Sequence, residues 1–249
     1  MGDVRLLVAC GLTREATLLA RPGMVAVPGG GDAARLEAAL EDQLALLPNI
    51  SMVLSCGIAG ALDPALRVGD VVLDLGTKPL RLGEAAGNGG VQPGASPVDG
   101  RHAKLTADSE QLAGIASLFP YAHRGAIIGQ DHIAATTAEK ALLYSATGAL
   151  AVDMESHVAA RVAARHGLSF AAIRTISDTA QDTLPPAALV GMNPDGSMAL
   201  GRVLLSLARH PGQLPALIRT GRSAGAAFGA LRRVGDALVG VGVSGLDLG

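Results

Sequence analysis

The chain has 249 residues, of which 49% are hydrophobic and 17% charged, a composition that excludes a disordered protein and suits one large domain with a sizeable core. A formal net charge of −2 gives no electrostatic reason to expect nucleic-acid binding and favours small-molecule partners. Cys10 and Cys56 stand far apart, outside any CxxC or metal-ligand spacing, so neither a disulfide scaffold nor a zinc site is expected, and a reducing cytoplasm is the natural compartment.

Val4 to Ala9 is a short apolar run suited to a buried strand, and Thr13-Arg14-Glu15 then opens a helical segment. Arg5 interrupts the run, so it does not match a secretory leader, and no apolar stretch reaches the roughly 18 residues of a membrane span. Further strands are predicted at Met52 to Ser55, Val68 to Leu73, Ala126 to Ile128 and Phe170 to Thr175. Helical periodicity lies at Asp32 to Leu47, Ser109 to Leu118, Thr137 to Ala146 and Glu155 to His166. Apolar strands separated by amphipathic helices predict an α/β fold, a three-layer α/β/α sandwich with a mostly parallel mixed central sheet. Thr77 to Val98, dense in Gly and Pro, reads as a long loop. The catalytic part is expected over 1–200, with 201–249 a basic helical extension of the same domain. Aromatic residues are only 2% and Trp is absent, so a base-stacking site has few rings to use.

Four segments carry candidate chemistry. Pro28-Gly29-Gly30-Gly31-Asp32 precedes a predicted helix; it is either a turn with Asp32 as N-cap or an anion cradle formed by Gly29, Gly30 and Gly31. Ser55 to Gly60 ends a strand with small residues, either as a tight turn or to let backbone approach a ligand at Gly57 and Ile58. Val152-Asp153-Met154-Glu155 crowds acids at a helix start, more than capping alone requires. Arg174-Thr175-Ile176-Ser177-Asp178 closes a strand with a guanidinium, hydroxyls and a carboxylate; an aspartate there also serves as a turn residue. Glu15, Gly57, Glu155 and Asp178 all fall at or beside the carboxyl ends of predicted strands, where open α/β sheets place their sites.

From about Val4 to Ala180 these segments resemble the methylthioadenosine/adenosylhomocysteine nucleosidases and their phosphorylase cousins. The likeness is carried by Arg14 to Leu19, Cys56 to Leu62 with Leu66 to Val72, Val152 to Glu155, and Arg174 to Asp178. A narrower resemblance, to the hopanoid-associated phosphorylases, rests on Gly29 to Arg35, Val152 to Arg161, Leu184 to Gly191 and Pro211 to Pro215. That subfamily is implicated in removing adenine from adenosylhopane.

The resemblance implies a nucleosidase that needs no cofactor or metal, works as a homodimer and breaks an N-glycosidic bond. In that scheme Asp178, kept protonated by burial, protonates or hydrogen-bonds the base at N7. Glu155 accepts from the ribose hydroxyls beside Met154, Ser177 joins the binding set, and Glu15, with Arg174 nearby, activates water. His132 takes the place of the ring that stacks on the base, and Ile133 that of the residue whose backbone reads its edge. Two departures matter: His132 replaces a phenylalanine, and Ser55 stands where many phosphorylases carry a phosphate-binding arginine. Hydrolysis is therefore favoured over phosphorolysis, since a phosphate dianion would lack a bidentate partner. Phosphorolysis, with phosphate on Gly29 to Gly31 or on arginines from a partner subunit, remains the second enzyme reading, and a non-catalytic nucleoside-binding module a third. A dinucleotide-dependent oxidoreductase lacks its GxGxxG.

Beyond Leu200, Val203, Leu204 and Leu207 recur at helical spacing, as do Leu214, Leu217 and Ile218. Arg202, Arg209, Arg219, Arg222, Arg232 and Arg233 add positive charge with no acid between Gly201 and Gly235. This is either an ordinary helix with a solvated basic face or a surface for peripheral membrane contact.

Overall fold

The computed structural model describes residues 6–76, 110–191, 193 and 195–243. Val4 and the predicted loop from Thr77 to Val98 thus lie outside the described residues. Among the described residues an eight-stranded mixed sheet runs in the order β2-β1-β3-β8-β4-β5, with β7 joined to β3 and β6. Its strands are β1 (Leu6–Cys10), β2 (Met24–Pro28), β3 (Met52–Ala61), β4 (Val71–Asp74), β5 (His123–Arg124), β6 (Ile127–Gly129), β7 (Ala151–Asp153) and β8 (Ser169–Asp178). β1 pairs in parallel with β2 and β3, and β3 in parallel with β8. β4 runs antiparallel to β8 and β7 antiparallel to β3.

The helices are α1 (Thr13–Leu19), α2 (Ala33–Leu46), α3 (110–118), α4 (Thr137–Thr147), α5 (Ser156–His166), α6 (Pro186–Leu189), α7 (Leu200–Arg209) and α8 (Leu214–Val243). Alternation along β1 divides the core. Leu6, Val8 and Cys10 pack with Leu19 of α1 and Phe228, Leu231 and Val234 of α8, whereas Leu7 and Ala9 pack with Leu36 and Leu40 of α2 and Val158 and Val162 of α5. Both faces are covered, which is why β1 carries no polar alternation. Local signals set the helix ends. Asp32 caps α2 by accepting from the Arg35 N–H at 3.0 Å, and Gly148 closes α4 at φ 65°.

The strands differ from their predicted spans in one informative way. β3 and β8 each run for 10 residues, so Ser55 to Gly60 is strand rather than turn, and Ser177 and Asp178 are the last rungs of β8. The apolar runs end early because the far halves of both strands carry Gly, Ser, Arg and Asp toward a site. β5 and β7, of two and three residues, are too short to be recognised from apolar periodicity, whereas β2 is as long as β1 and nearly as apolar, and the prediction omits it without such a reason.

The C-terminal helices divide by burial. In α8, Ala227, Phe228, Ala230, Leu231, Val234 and Leu238 are buried, and Thr175 of β8 donates to the Ala227 carbonyl at 3.1 Å, so this half is a core element with Arg232 and Arg233 solvated. α7 has no buried residue. Leu200, Leu204 and Leu205, with Met198, Leu214 and Ile218 beside them, are each 44–64% exposed.

Candidate active site

Glu15 enters the site from the first turn of α1. The β1–α1 connection is two residues long, so its carboxylate turns back onto the end of the strand. Oε2 accepts from the N–H groups of Gly11 at 2.7 Å and Leu12 at 2.8 Å, and Oε1 from Ile58 of β3 at 2.7 Å. The side chain is buried, and burial raises its pKa above the ordinary carboxyl value; the Arg174 charge and the three N–H groups oppose that.

Arg174, fully buried on β8, is the counter-charge of a carboxylate cluster. Its Nε lies 2.7 Å from Asp153 Oδ2, close enough for charge pairing but not aligned for a hydrogen bond. Nη1 lies 3.3 Å from Glu155 Oε2, and Nη2 donates to Ser55 Oγ at 2.5 Å. Ser156 Oγ bonds Asp153 and lies 3.1 Å from Ser55 Oγ. Three buried carboxylates, Glu15, Asp153 and Glu155, thus share one guanidinium. Burial first, and then Asp153 and Glu15, push Glu155 up to about 8 against the Arg174 charge. Ser55, which stands where an arginine would hold phosphate, is fully buried and spent on Arg174.

Glycines make this density possible. A Cβ on Gly57 would sit 2.7 Å from both Arg174 Nη1 and Glu15 Oε1, and one on Gly11 2.7 Å from Glu155 Oε1. Gly57 does not line the cavity; it gives room for Glu15 and Arg174. Arg174 likewise is absent from the described lining and stands behind the wall, near Glu15 as expected.

Asp178 has a partner that the sequence reading did not include: Lys140 of α4, fully buried, places Nζ 2.5 Å from Asp178 Oδ2. Asp178 Oδ1 accepts from Ser177 Oγ at 2.7 Å. Lys140 was missed. The one available signal was a lysine on the same helix face as Leu143, the other buried residue of α4.

Glu15, Ile58, His132, Ile133, Met154, Glu155, Ser177 and Asp178 line one open cavity of about 760 Å3. His132 is exposed at its rim, with Nε2 3.1 Å from Glu139 Oε1. Four lining residues are carboxylic, Glu15, Asp153, Glu155 and Asp178; Arg14, stacked 4.2 Å over the Phe228 ring, is the one lysine or arginine among the described lining residues. The opposite wall is apolar or small: Ala187, Ala188, Met198, Val203, Leu217, Gly221, Ala224 and Phe228. Gly29, Gly30 and Gly31 are not part of the lining. The N–H groups of Gly29 and Gly30 are spent on the carbonyls of Cys10 and Gly11, both at 2.8 Å, and Asp32 caps α2, so of the two readings the turn describes the segment. Cys10 and Cys56 are both buried and free, with burial pushing the Cys56 thiol up to about 12.

The mixed α/β/α sandwich gathers carboxylates at the ends of its central strands, where open α/β sheets place their sites. The phosphorylase superfamily model matches residues 7–209, and the chain belongs to that family. No curated protein matches it. Solved structures share the fold at low identity. A Streptococcus pyogenes S-adenosylhomocysteine nucleosidase, in complex with 5-methylthiotubericidin, is 16% identical with TM-score 0.56, covering 94% of this chain and 97% of that one. A Helicobacter pylori nucleosidase mutant with 5′-methylthioadenosine in its active site is 16% identical, TM-score 0.52, covering 95% and 99%. A putative methylthioadenosine nucleosidase from Weissella paramesenteroides is 19% identical, TM-score 0.52, covering 92% and 97%.

Proposed function

We propose that the protein hydrolyses the N-glycosidic bond of an adenine nucleoside, with adenosylhopane as substrate and adenine and ribosylhopane as products, in hopanoid biosynthesis. The observation that carries the choice of hydrolysis is that the candidate phosphate partners are taken: Ser55 is buried on Arg174, the Gly29 and Gly30 N–H groups are spent on carbonyls, and Arg14 is the one lysine or arginine among the described lining residues. Carboxyl groups beside the sugar suit a ribose that becomes cationic as the bond breaks.

In this reading Asp178, oriented by Ser177, serves the base at N7. Glu155 receives the ribose hydroxyls beside Met154, and Glu15 takes a proton from the attacking water. Ile133 borders the base by its backbone, with His132 at the rim. Arg174 keeps Glu15, Asp153 and Glu155 together without touching substrate. The cavity volume, about 760 Å3, lies high in the range of roughly 300–1,000 Å3 for small-molecule sites. Its apolar wall, continuous with exposed Met198, supports a large apolar 5′ substituent.

The same reading gives the protein a cytoplasmic location with peripheral membrane contact through α7 and the start of α8, and a homodimer as its assembly. Light scattering at micromolar concentration should return twice the chain mass; a monomer would count against the dimer. The deciding experiment incubates the protein with adenosine, methylthioadenosine and adenosylhopane, with and without phosphate, and follows adenine by chromatography. Adenine release independent of phosphate, fastest from adenosylhopane, is expected. Release only with phosphate would replace hydrolysis by phosphorolysis, and no release from any of the three would overturn the reading.

A further inference from the structure

Lys140 is a fully buried lysine whose ammonium sits behind the cavity wall rather than in it. Nζ faces three acceptors: Asp178 Oδ2 at 2.5 Å, the Thr179 carbonyl at 2.8 Å and the Asp182 carbonyl at 3.0 Å. An ammonium has three N–H groups, so each is matched. The Thr179 to Asp182 turn that supplies the two carbonyls is closed without the lysine. Asp182 Oδ2 accepts from the Thr179 N–H at 2.9 Å and from its hydroxyl at 2.7 Å. Asp178 is therefore gripped from both sides, by Ser177 at the cavity and by Lys140 behind it.

We propose that Lys140 is a positioning residue for departure of the base, acting through Asp178 both to aim the carboxyl group and to stabilise the carboxylate that remains once its proton has gone to N7. This rests on the reading of Asp178 as the group that serves N7. In the step, the C1′–N9 bond breaks and its electron pair goes to N9. Asp178 passes its carboxyl proton to N7, so the base leaves as neutral adenine and Asp178 is left as a carboxylate. Water adds to C1′ and gives its surplus proton to Glu15, from which a proton returns through solvent to Asp178. Lys140 keeps its three N–H groups throughout, one on Asp178 Oδ2 and two on the Thr179 and Asp182 carbonyls, so the new carboxylate meets a charged donor already in place.

The test compares Lys140→Met, Asp178→Asn and the double variant on two substrates: adenosine, whose base must be protonated to leave, and 4-nitrophenyl β-D-riboside, whose phenolate leaves unaided. Lys140→Met should lower kcat for adenosine by roughly 10²-fold with KM little changed, and should largely spare the nitrophenyl riboside. The double variant should be no slower on adenosine than Asp178→Asn alone, because two residues acting as one unit are not additive. Should Lys140→Met not fold, Lys140→Gln, whose amide still donates to the carbonyls, carries the same comparison. Equal losses on both substrates, or additive losses in the double variant, would reduce Lys140 to a structural residue and overturn the proposal. Wild-type protein that releases the nitrophenolate but no adenine would sink the adenine-nucleoside reading and this proposal together.

Discussion

Glu15→Gln keeps the shape of the side chain and changes what it can accept. The carboxylate takes three main-chain N–H groups, Gly11 and Leu12 on one oxygen and Ile58 on the other. A carboxamide has one oxygen. Turned toward Gly11 and Leu12, it leaves its NH2 facing the Ile58 N–H, so one buried main-chain bond is lost. A stranded buried donor costs about 1–3 kcal/mol, and each kcal/mol lowers Tm by about 2–4 °C in a chain of this size. Removing a buried charge offsets part of that cost, so a fall of about 2–6 °C is expected. Adenine release should be abolished because no base remains for the water. Equilibrium binding of an adenine nucleoside should persist, since Asp178 and Glu155 are untouched. The measurements are a thermal melt, chromatography of released adenine and a binding titration. Wild-type turnover in this variant, or loss of binding at unchanged Tm, would refute the assignment of Glu15 to the water.

Asp178→Asn should lower kcat by roughly 10²-fold or more with a smaller effect on KM; near-normal turnover would remove Asp178 from the chemistry. Glu155 gives a pH signature. Its folded-state pKa, about 8, lies above its ordinary value of 4.5, so the folded protein holds that proton more tightly than the unfolded chain and loses this contribution to stability as pH rises from about 4.5 to about 8. Denaturant melts across that range should show a smaller decline for Glu155→Gln than for wild type; identical slopes would contradict it. For α7, sedimentation with anionic vesicles but not neutral ones is expected, weakened by salt and by Arg209→Glu with Arg219→Glu. Indifference to both vesicle types would end the membrane reading.

The layered fold was legible because buried strands and amphipathic helices repeat along the chain, and Asp32 and the helix-ending glycines carry their own local signals. The site was legible only in part. Motif likeness identified Glu15, Met154, Glu155, Ser177 and Asp178, all of which reach one cavity. It could not show that Arg174 and Gly57 stand behind the wall, because a motif gives residue type and order but not which face of a strand turns to the ligand. Gly29 to Gly31 stayed open between a turn and an anion cradle because free and spent N–H groups have the same sequence. Lys140 was hidden for a related reason: its three acceptors come from residues 178, 179 and 182, some forty positions away. Exposed and buried halves of the C-terminal segment both carry arginines among apolar residues, so only packing separated them.

The thirty-residue helix α8 answers to two masters along its length. Its later half is locked between α1 and the sheet, where each change of side-chain volume is felt by the whole core. Its earlier half borders the cavity with Leu217, Gly221 and Ala224, and a Cβ added at Gly221 meets nothing within 4 Å. Bulk can therefore be gained at Gly221 with little effect on folding, since surface changes of this kind usually stay within about 0.5 kcal/mol. Substrate range can drift by substitutions in the first half while the second half preserves the scaffold, so divergence in what relatives accept should be written mostly into the front of this helix.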